Sequence, residues 1–372
     1  MSRSGSARLR VVVAGAGYAG MAAAVLARKW VGAEVTVLNP VDRFVERVRM
    51  HQLASGQELR RVSVSGLASA AGIEFVLGSA AGIDLEHRTV QVAGTGGVLP
   101  YDVLVLAVGS STELGRVAGA YGVSTLPQAL ALRDRLPRSR RVAVVGAGLT
   151  GIETATEIAE SWPDVAVSIL DTGEIGAAFA ARGRAHLDAV FTRLGIEPRP
   201  NVRVARPVPD GLELTDRTVL PADTVVWTTG FRAPSLAGDA GLEVDERGRV
   251  LTDHYLRSVS HPEVIAVGDA AAGVCADGTE LRMACATGVP AAQQAIRALA
   301  DRVAGKPMRP LRFRYFNQCL SLGRRDGLIQ FVDERDRPRS FVLTGRAARG
   351  YKEAIVRSAL WFQHHPTLPT TF

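Results

Sequence analysis

The sequence predicts an α/β fold that contains two Rossmann-like dinucleotide-binding units. Each unit begins with a short run of β-branched residues, which is typical of a parallel strand covered on both faces. Each run is followed by a glycine-rich turn of the pattern G-x-G-x-x-G and then by a helix. The first copy spans residues 10–29 and the second spans residues 141–160. One isolated copy is weak support for a nucleotide site, but two complete copies in one chain favour two such sites.

The glycines of the two turns have the same spacing. They are Gly15, Gly17 and Gly20 in the first turn, and Gly146, Gly148 and Gly151 in the second. The first glycine of each set permits the tight turn, the second lets the backbone approach a pyrophosphate, and the third lets the helix pack closely on the strand. The helix then offers unpaired N–H groups and the positive end of its dipole to the phosphates.

The position after the second strand of each unit normally carries a carboxylate that binds a ribose hydroxyl. In the first unit this residue is Asn39, whose amide could bind a ribose or could simply form a turn with Pro40. In the second unit it is Asp171, and a carboxylate there accepts from the 2′-hydroxyl and repels a 2′-phosphate. Asp171 therefore favours NADH over NADPH, while the nearby Arg182 and Arg184 keep NADPH as an alternative.

A helix is predicted from residue 42 to residue 56, where Gly56 ends it. Arg43, Arg47 and His51 fall at positions i, i+4 and i+8 and would share one face. That face could meet phosphates or the edge of a flavin, or it could be an ordinary solvated basic face.

The remaining elements alternate between strands and helices until the pattern changes near residue 311. Strands are predicted at 73–77, 88–93, 98–101, 101–111, 165–171, 224–231 and 261–271, with short strands in 201–215, and helices at 126–136, 183–194 and 290–303. From residue 311 onward the apolar residues alternate as in an antiparallel sheet. Residues 350–366 are predicted as an amphipathic helix with its apolar side around Ile355, Leu360 and Trp361, and with Lys352 elsewhere.

Composition excludes several classes of protein. The net charge of +7 is carried almost wholly by arginine, but no basic run has interleaved aromatic residues, so nucleic acid is not expected as a partner. The three cysteines, Cys275, Cys285 and Cys319, are widely spaced, which argues against a zinc site and for a reducing compartment. Cys285 and Cys319 are expected to be buried apolar residues. The N-terminus lacks the apolar core of a signal peptide, and no apolar stretch is long enough to span a bilayer. A cytoplasmic location is expected, with peripheral membrane contact as an addition.

Five motifs in this order resemble the FAD-dependent pyridine nucleotide-disulfide reductase superfamily. They are GAGYAG at 15–20, AVG at 107–109, GAGLTG at 146–151, TTG at 228–230 and GD at 268–269. The chain is most similar to the type II NADH dehydrogenase and apoptosis-inducing-factor-like branch, through GIE at 151–153, WTTGF at 227–231 and MACATGVPAAQQ at 283–294. Since the predicted helix 42–56 contains no cysteine, a redox disulfide is excluded.

The resemblance implies FAD and NADH as cofactors and an NADH domain inserted into the FAD domain, followed by a small C-terminal α+β domain. The implied boundaries are 1–115 and 241–309 for the FAD-binding domain, 116–240 for the NAD(P)H-binding domain and 310–372 for the C-terminal domain. Beyond the glycine turns, Asn39 and Asp171, the cofactor-binding candidates are Tyr18, Ala19, Arg43, Arg47, Ala81, Ala107, Gly109, Gly230, Gly268 and Asp269. Asp269 is expected to hold the ribityl chain.

The implied reaction passes a hydride from NADH to the flavin and then passes electrons to an acceptor. Glu153 is expected near the nicotinamide and the acceptor, although it could merely offset the helix dipole. Glu153 or His51 could relay protons, although His51 is more simply explained as an ordinary helix-face residue. A quinone is the expected acceptor. The alternatives are an oxidase or oxygenase that uses O2 on a small aromatic or quinonoid metabolite, a ferredoxin reductase with a protein partner, and a non-enzymatic NADH sensor.

The C-terminal helix could reach a membrane surface, because Trp361 and Phe362 stand beside histidines and basic residues. It could equally pack on the C-terminal sheet or on a second subunit.

Overall fold

A computed structural model describes residues 8–94 and 96–370, and it has a mixed α/β architecture built on two parallel sheets. The strands are β1 Arg10–Ala14, β2 Glu34–Asn39, β3 Glu74–Leu77, β4 Ala80–Asp84, β5 Thr89–Val92, β6 Val98–Pro100, β7 Val103–Leu106, β8 Ser111–Thr112, β9 Arg141–Val145, β10 Ala166–Leu170, β11 Glu197–Arg199, β12 Val204–Val208, β13 Gly211–Leu214, β14 Val219–Pro221, β15 Thr224–Trp227, β16 Phe231–Arg232, β17 Val250–Leu251, β18 Val264–Ala266, β19 Ala271–Ala272, β20 Asn317–Ser321, β21 Gly327–Val332 and β22 Pro338–Thr344.

The α-helices are α1 Tyr18–Leu26, α2 Met50–Ala54, α3 Val64–Ala70, α4 Leu126–Arg135, α5 Leu149–Ser161, α6 Ala181–Leu194, α7 Leu236–Asp239, α8 Cys285–Val303 and α9 Gly345–Trp361. A π-helical turn at Ala27–Val31 extends α1, and short 3-10 turns occur at Arg47–Arg49, Leu114–Arg116, Leu136–Arg138 and Gly268–Ala270.

The first parallel sheet has the strand order β18-β7-β1-β2-β3. Its strand β18 lies more than 150 residues after β7 in the chain but pairs directly with it, with Val264 opposite Leu104. The chain therefore leaves this sheet, forms the second unit and returns. This topology confirms the predicted fold class, in which one dinucleotide-binding unit is inserted into the other. The boundaries of the four domain segments stay predictions.

The second parallel sheet has the order β11-β10-β9-β15, and a three-stranded antiparallel sheet β12-β13-β14 lies beside it. The two units are joined where the chain leaves the first and where it returns. At that point β8 and β16 pair as a short antiparallel ribbon, with Thr112 opposite Phe231. The turns that follow β7 and β15 therefore lie next to each other.

The C-terminal sheet β20-β21-β22 packs on the inserted unit. Its side chains Leu320, Leu328 and Val342 are buried in the same apolar cluster as Ile152 of α5 and Phe191 of α6. Because this contact removes apolar surface of both partners from water, the sheet is held against α5, the helix that starts in the second glycine turn.

The predicted helix 42–56 is wrong in its first half. Residues 42–46 are not helical, because they bond to residues 62–65 instead: the Phe44 N–H donates to the Val62 carbonyl at 2.7 Å, and the Asp42 carboxylate accepts from the Ser65 N–H at 2.8 Å. Only the 3-10 turn and α2 are helical. Arg43, Arg47 and His51 consequently do not share a helical face.

Two further predictions need correction. The helix predicted at 290–303 is longer than expected, because α8 begins at Cys285, a full turn before Pro290. Proline commonly stands in the first turn of a helix, but here it lies inside one. In α9 the buried face is formed by Ala348 and Val356, and the side chain of Lys352, which lies between them on that face, is only 16% exposed. Trp361 is instead 49% exposed and lines a groove of about 680 Å³ beside Leu59.

We predict that the third glycine of each turn is required for stability and that the second is not. A β-carbon at Gly20 or Gly151 would overlap the backbone oxygen of Gly15 or Gly146, whereas a β-carbon at Gly17 or Gly148 would meet no atom within 4 Å. G20A and G151A should each lower the free energy of unfolding by about 3 kcal/mol or more. G17A and G148A serve as controls and should cost about 1 kcal/mol or less. Urea denaturation measures all four variants, and equal losses in both pairs would contradict the prediction.

Candidate cofactor and electron-transfer site

The two ribose-position residues occupy equivalent places in the two units. Asn39 Oδ1 accepts from the Ala16 N–H at 2.9 Å, and Asp171 Oδ2 accepts from the Ala147 N–H at 2.6 Å. Each side chain thus stabilises the glycine turn of its own unit through a hydrogen bond from the backbone of the turn. The Asn39 amide nitrogen donates to the Val41 carbonyl at 2.8 Å, so an amide replaces the usual carboxylate without loss of the turn contact.

The N-terminal ends of α1 and α5 have the geometry that phosphate binding requires. Gly17 and Gly148 are the residues that precede these helices, and neither helix has a side chain that caps its first N–H groups. The space in front of both glycines is open to 4 Å. Open space together with unpaired N–H donors fits the pyrophosphate of a dinucleotide at each turn.

Asp269 lies beside the turn that follows β7. Its Oδ2 accepts from the Ser110 hydroxyl at 2.7 Å and lies 3.7 Å from the Arg47 guanidinium. Arg47 also donates to the Ser110 carbonyl oxygen and hydroxyl, and its guanidinium is 5.6 Å from the ring centre of Phe231. This arrangement brings the AVG, GD and WTTGF motifs together. Sequence reasoning missed Ser110, although it directly follows the AVG motif.

Glu153 is at the centre of a buried polar cluster, which we call the Glu153 cluster. Its Oε1 accepts from the Ser321 N–H at 2.9 Å, from the Ser321 hydroxyl at 3.1 Å and from the Lys352 ammonium at 3.0 Å. Its Oε2 lies 3.9 Å from His51 Nδ1, and His51 Nε2 lies 3.2 Å from the Ser321 hydroxyl. Lys352 also donates to the Cys319 carbonyl at 2.9 Å.

The charge states of the Glu153 cluster follow from burial and pairing. Burial lowers the pKa of His51 to about 4 and outweighs the attraction of Glu153, so the imidazole is neutral at pH 7. Burial by itself would raise the pKa of Glu153, but Lys352, His51 and the Ser321 N–H hold it below its usual value. Burial likewise opposes the charge of Lys352, but Glu153 raises its pKa overall. The cluster therefore holds a carboxylate, an ammonium group and a neutral imidazole.

The structure brings both candidate catalytic residues, Glu153 and His51, into this one cluster. Lys352 was missed because an amphipathic helix normally keeps its lysines in solvent. A sign was present in the sequence, since Lys29, Lys306 and Lys352 are the only lysines in an arginine-rich chain.

The other candidates are placed as follows. Ala107 packs against the first glycine turn, because a β-carbon at Gly15 would overlap the Ala107 carbonyl oxygen. Ala19 lies next to Gly268. Gly109 and Gly230 both have φ of +71° in the turns after β7 and β15.

Tyr18 starts α1, its hydroxyl is buried, and its ring lies edge-on to Phe44. Ala81 is exposed on β4, and Arg43 lies in the non-helical stretch before the 3-10 turn Arg47–Arg49. The cofactor roles of all these residues stay predictions.

The cysteines differ partly from expectation. Cys275 is buried and Cys319 is half-buried, but Cys285 at the start of α8 is exposed. All three are free thiols. Cys285 therefore does not behave as a buried apolar residue.

Comparison with known proteins identifies the family. Residues 9–298 match the model of the pyridine nucleotide-disulphide oxidoreductase family. The chain belongs to this family. It is 29% identical over 343 residues to an NADH dehydrogenase-like protein of Mycobacterium tuberculosis, a match that covers 84% of this chain and 86% of the relative. It is 25% identical to the demethylphylloquinone reductase NdbB of Synechocystis over 87% of this chain and 86% of the relative.

Among solved structures, the fold matches NDH2 from Plasmodium falciparum in complex with NADH. The TM-score is 0.79 at 14% identity, and the match covers 97% of this chain and 96% of that chain. These matches confirm the resemblance to the type II NADH dehydrogenase branch. The protein is an NAD(P)H-dependent flavoprotein oxidoreductase with FAD and NADH as cofactors. Within residues 8–94 and 96–370, no helix has the length and apolarity needed to cross a bilayer.

We predict that Lys352 is essential for the stability of the Glu153 cluster. K352M leaves a buried carboxylate without its cation and should lower the free energy of unfolding by about 3–5 kcal/mol. The double variant E153Q/K352M removes both charges and should recover part of this loss. K306M is the matched control, because Lys306 is exposed, and should change stability by no more than about 0.5 kcal/mol. The single variant E153Q completes the double-mutant cycle. Chemical denaturation of wild type and the four variants measures the coupling, and strictly additive losses from E153Q and K352M would contradict it.

We predict that His51 contributes to acid sensitivity. Its pKa is lowered from 6.5 to about 4 in the folded protein, so the unfolded chain binds more protons between these values. The contribution of the neutral imidazole to the free energy of unfolding is fully present above pH 6.5. It is lost as the pH falls towards 4, by up to about 3 kcal/mol. H51N should flatten this part of the curve of unfolding free energy against pH. H364Q removes an exposed histidine and serves as the control; the idea fails if H51N and H364Q both retain the wild-type slope.

Proposed function

We propose that the protein is an NADH:quinone oxidoreductase, in which NADH is the reductant and a quinone is the final acceptor. The observation that carries the proposal is the Glu153 cluster. In this cluster the buried Glu153 carboxylate, two residues beyond the second glycine turn, pairs with the buried Lys352 ammonium group. The pair lies where α5, β20 and α9 meet.

The relatives support this proposal through what their names state. One is a demethylphylloquinone reductase, and another is an alternative NAD(P)H-ubiquinone oxidoreductase of Arabidopsis thaliana, 26% identical over 87% of this chain and 73% of the relative. Both act on quinones by name. The same site could serve a different acceptor, because the cofactor motifs specify the cofactors and not the acceptor.

The chain's own residues would bind and orient NADH at the second turn. The N–H groups at the start of α5 would meet the pyrophosphate, and Asp171 would meet the adenosine ribose, where its negative charge repels a 2′-phosphate. FAD, when bound, supplies the chemistry that connects a two-electron hydride donor to the acceptor. Asp269 and Arg47 would hold it from the side of the first unit.

Lys352 would act on the acceptor. Its ammonium group is fixed by Glu153 and the Cys319 carbonyl, so it can stabilise negative charge that develops on a quinone oxygen without rearrangement. Glu153 would keep Lys352 protonated and in position. The neutral His51 would hold the Ser321 hydroxyl and could exchange a proton with it.

We further propose a cytoplasmic location, with α9 and its half-exposed Trp361 as the surface that touches a membrane. The arginine-rich composition would favour an anionic lipid surface.

Rapid anaerobic mixing tests the function in two separate half-reactions. NADH should bleach the flavin faster than NADPH because of Asp171, and a soluble quinone should then restore the oxidised spectrum. K352M should slow the return by quinone about 100-fold, while the bleaching by NADH changes only a few-fold. The control K306M should match wild type in both phases.

Three outcomes would contradict the proposal. Return of colour with O2 but not with quinone would identify an oxidase. Return only with an added ferredoxin would identify a ferredoxin reductase. No bleaching by either nucleotide would mean that the second glycine turn is not the site of a reductant.

A further inference from the structure

Three glutamates lie along one face of α5 and lead from the Glu153 cluster to the protein surface. Glu153, Glu157 and Glu160 stand at positions i, i+4 and i+7, and neighbours at such spacing have β-carbons about 5–6 Å apart. Glu157 is 0% exposed, and the side chain of Glu160 is 15% exposed. We call these three residues the carboxylate ladder. It runs from a buried site to solvent.

The two outer members of the ladder have unused hydrogen-bonding capacity. Glu157 Oε1 accepts from the Gln57 amide, and Glu160 Oε1 accepts from the Arg324 N–H at 3.1 Å. The Oε2 atoms of Glu157 and Glu160 are both buried, and neither has a hydrogen-bond partner among the described residues. A bare carboxylate oxygen is costly to bury, whereas a protonated carboxyl group can donate to a neighbouring carboxylate. The unpartnered oxygens therefore favour a protonated carboxyl group at Glu157, which is fully buried.

The electrostatic surroundings set the pH at which that proton is released. Burial raises the pKa of Glu157 to about 7, with Glu160 and Glu153 adding to the rise and Arg324 and the Gln57 hydrogen bond opposing it. The groups that face the ladder are Glu153, Glu157 and Glu160 from α5, His51 from α2, Gln57 from the loop after α2, Arg324 and Arg325 from the turn before β21, and Lys352 and Glu353 from α9.

The proposed reaction needs a supply of protons from solvent. Reduction of a quinone by NADH takes the hydride, which carries two electrons and one proton, and one further proton from solvent. Glu153 is ionised at neutral pH and has no proton of its own to give. Its partners are Lys352, which must stay charged to balance it, and His51, which is already neutral.

We propose, resting on the function proposed above, that Glu157 and Glu160 form the proton-entry path that supplies Glu153 during quinone reduction. Glu157 passes its proton to the Glu153 carboxylate, which passes it to the reduced acceptor oxygen. Glu157 is then reprotonated from solvent through Glu160. Neither residue touches the substrate, so both are positioning and relay residues.

The first test compares two acceptors that differ in their need for protons. A soluble quinone takes up protons, whereas ferricyanide takes electrons alone. E157Q should lower the ratio of the quinone rate to the ferricyanide rate at pH 7 by at least about tenfold. E58Q is the matched control, because Glu58 is an exposed carboxylate paired with Arg133, and it should keep the wild-type ratio. A wild-type ratio in E157Q overturns the proposed path and leaves the quinone function intact.

The second test uses the pH profile and does not require loss of the carboxyl group. The wild-type quinone rate should fall as the pH rises through about 7, because Glu157 then loses its proton. Q57L removes the hydrogen bond that favours the ionised form and should move this fall to higher pH. An unchanged profile in Q57L overturns the path, and Q57L also stands in for E157Q if that variant does not fold.

The third test is independent of turnover. Infrared spectroscopy of the full chain should detect the carbonyl band of a protonated buried carboxyl group that titrates near pH 7 and is absent from E157Q. A band that persists in E157Q, or that does not titrate, overturns the proposal even where quinone is reduced. Wild-type protein that reduces ferricyanide but no quinone refutes the proposed function itself, and the path to the acceptor falls with it.

Discussion

The ion pair between Glu153 and Lys352 is the interaction on which the arrangement of the site depends. A buried pair is tolerated only when both charges have further hydrogen bonds, since the desolvation of each ion is costly. Here Ser321 bonds the carboxylate twice, and the Cys319 carbonyl bonds the ammonium group. All of these partners come from β20. The C-terminal sheet and helix are therefore fixed relative to α5, the helix that begins in the second glycine turn.

The first unit is joined to the same point by charged contacts. Arg49 of the 3-10 turn bonds Glu353 of α9 at 2.8 Å, and the following helix α2 supplies His51 to the Glu153 cluster. Two residues earlier, Arg47 contacts Ser110, which follows the AVG motif, and Asp269 of the GD motif. The five residues 47–51 thus contact the region of the AVG and GD motifs in the first unit and also the Glu153 cluster. The AVG and GD motifs and the Glu153 cluster are therefore close together without any long connecting loop.

Local patterns predicted the fold well where backbone geometry leaves little choice. The two glycine turns, the strands β1, β9 and β10 and the positions of Asn39 and Asp171 are set by short-range rules, because only glycine fits the close helix–strand approach. Prediction failed where distant segments competed with local propensity. Residues 42–46 have a helical pattern, but their N–H and carboxylate groups bond to residues 62–65, and the helix does not form there. The helix predicted from residue 290 begins a turn earlier, at Cys285.

The sequence by itself determined the family, the two cofactors and the two glycine turns, since each of these depends on residues close together in the chain. Only the tertiary structure decided that Lys352 is buried, that burial lowers the pKa of His51 to about 4 and that burial raises the pKa of Glu157 to about 7. These properties depend on burial and on charges that come from separate parts of the chain. Glu153 and Lys352 are far apart in sequence, and the pattern of an amphipathic helix does not reveal that a lysine on it faces a buried carboxylate.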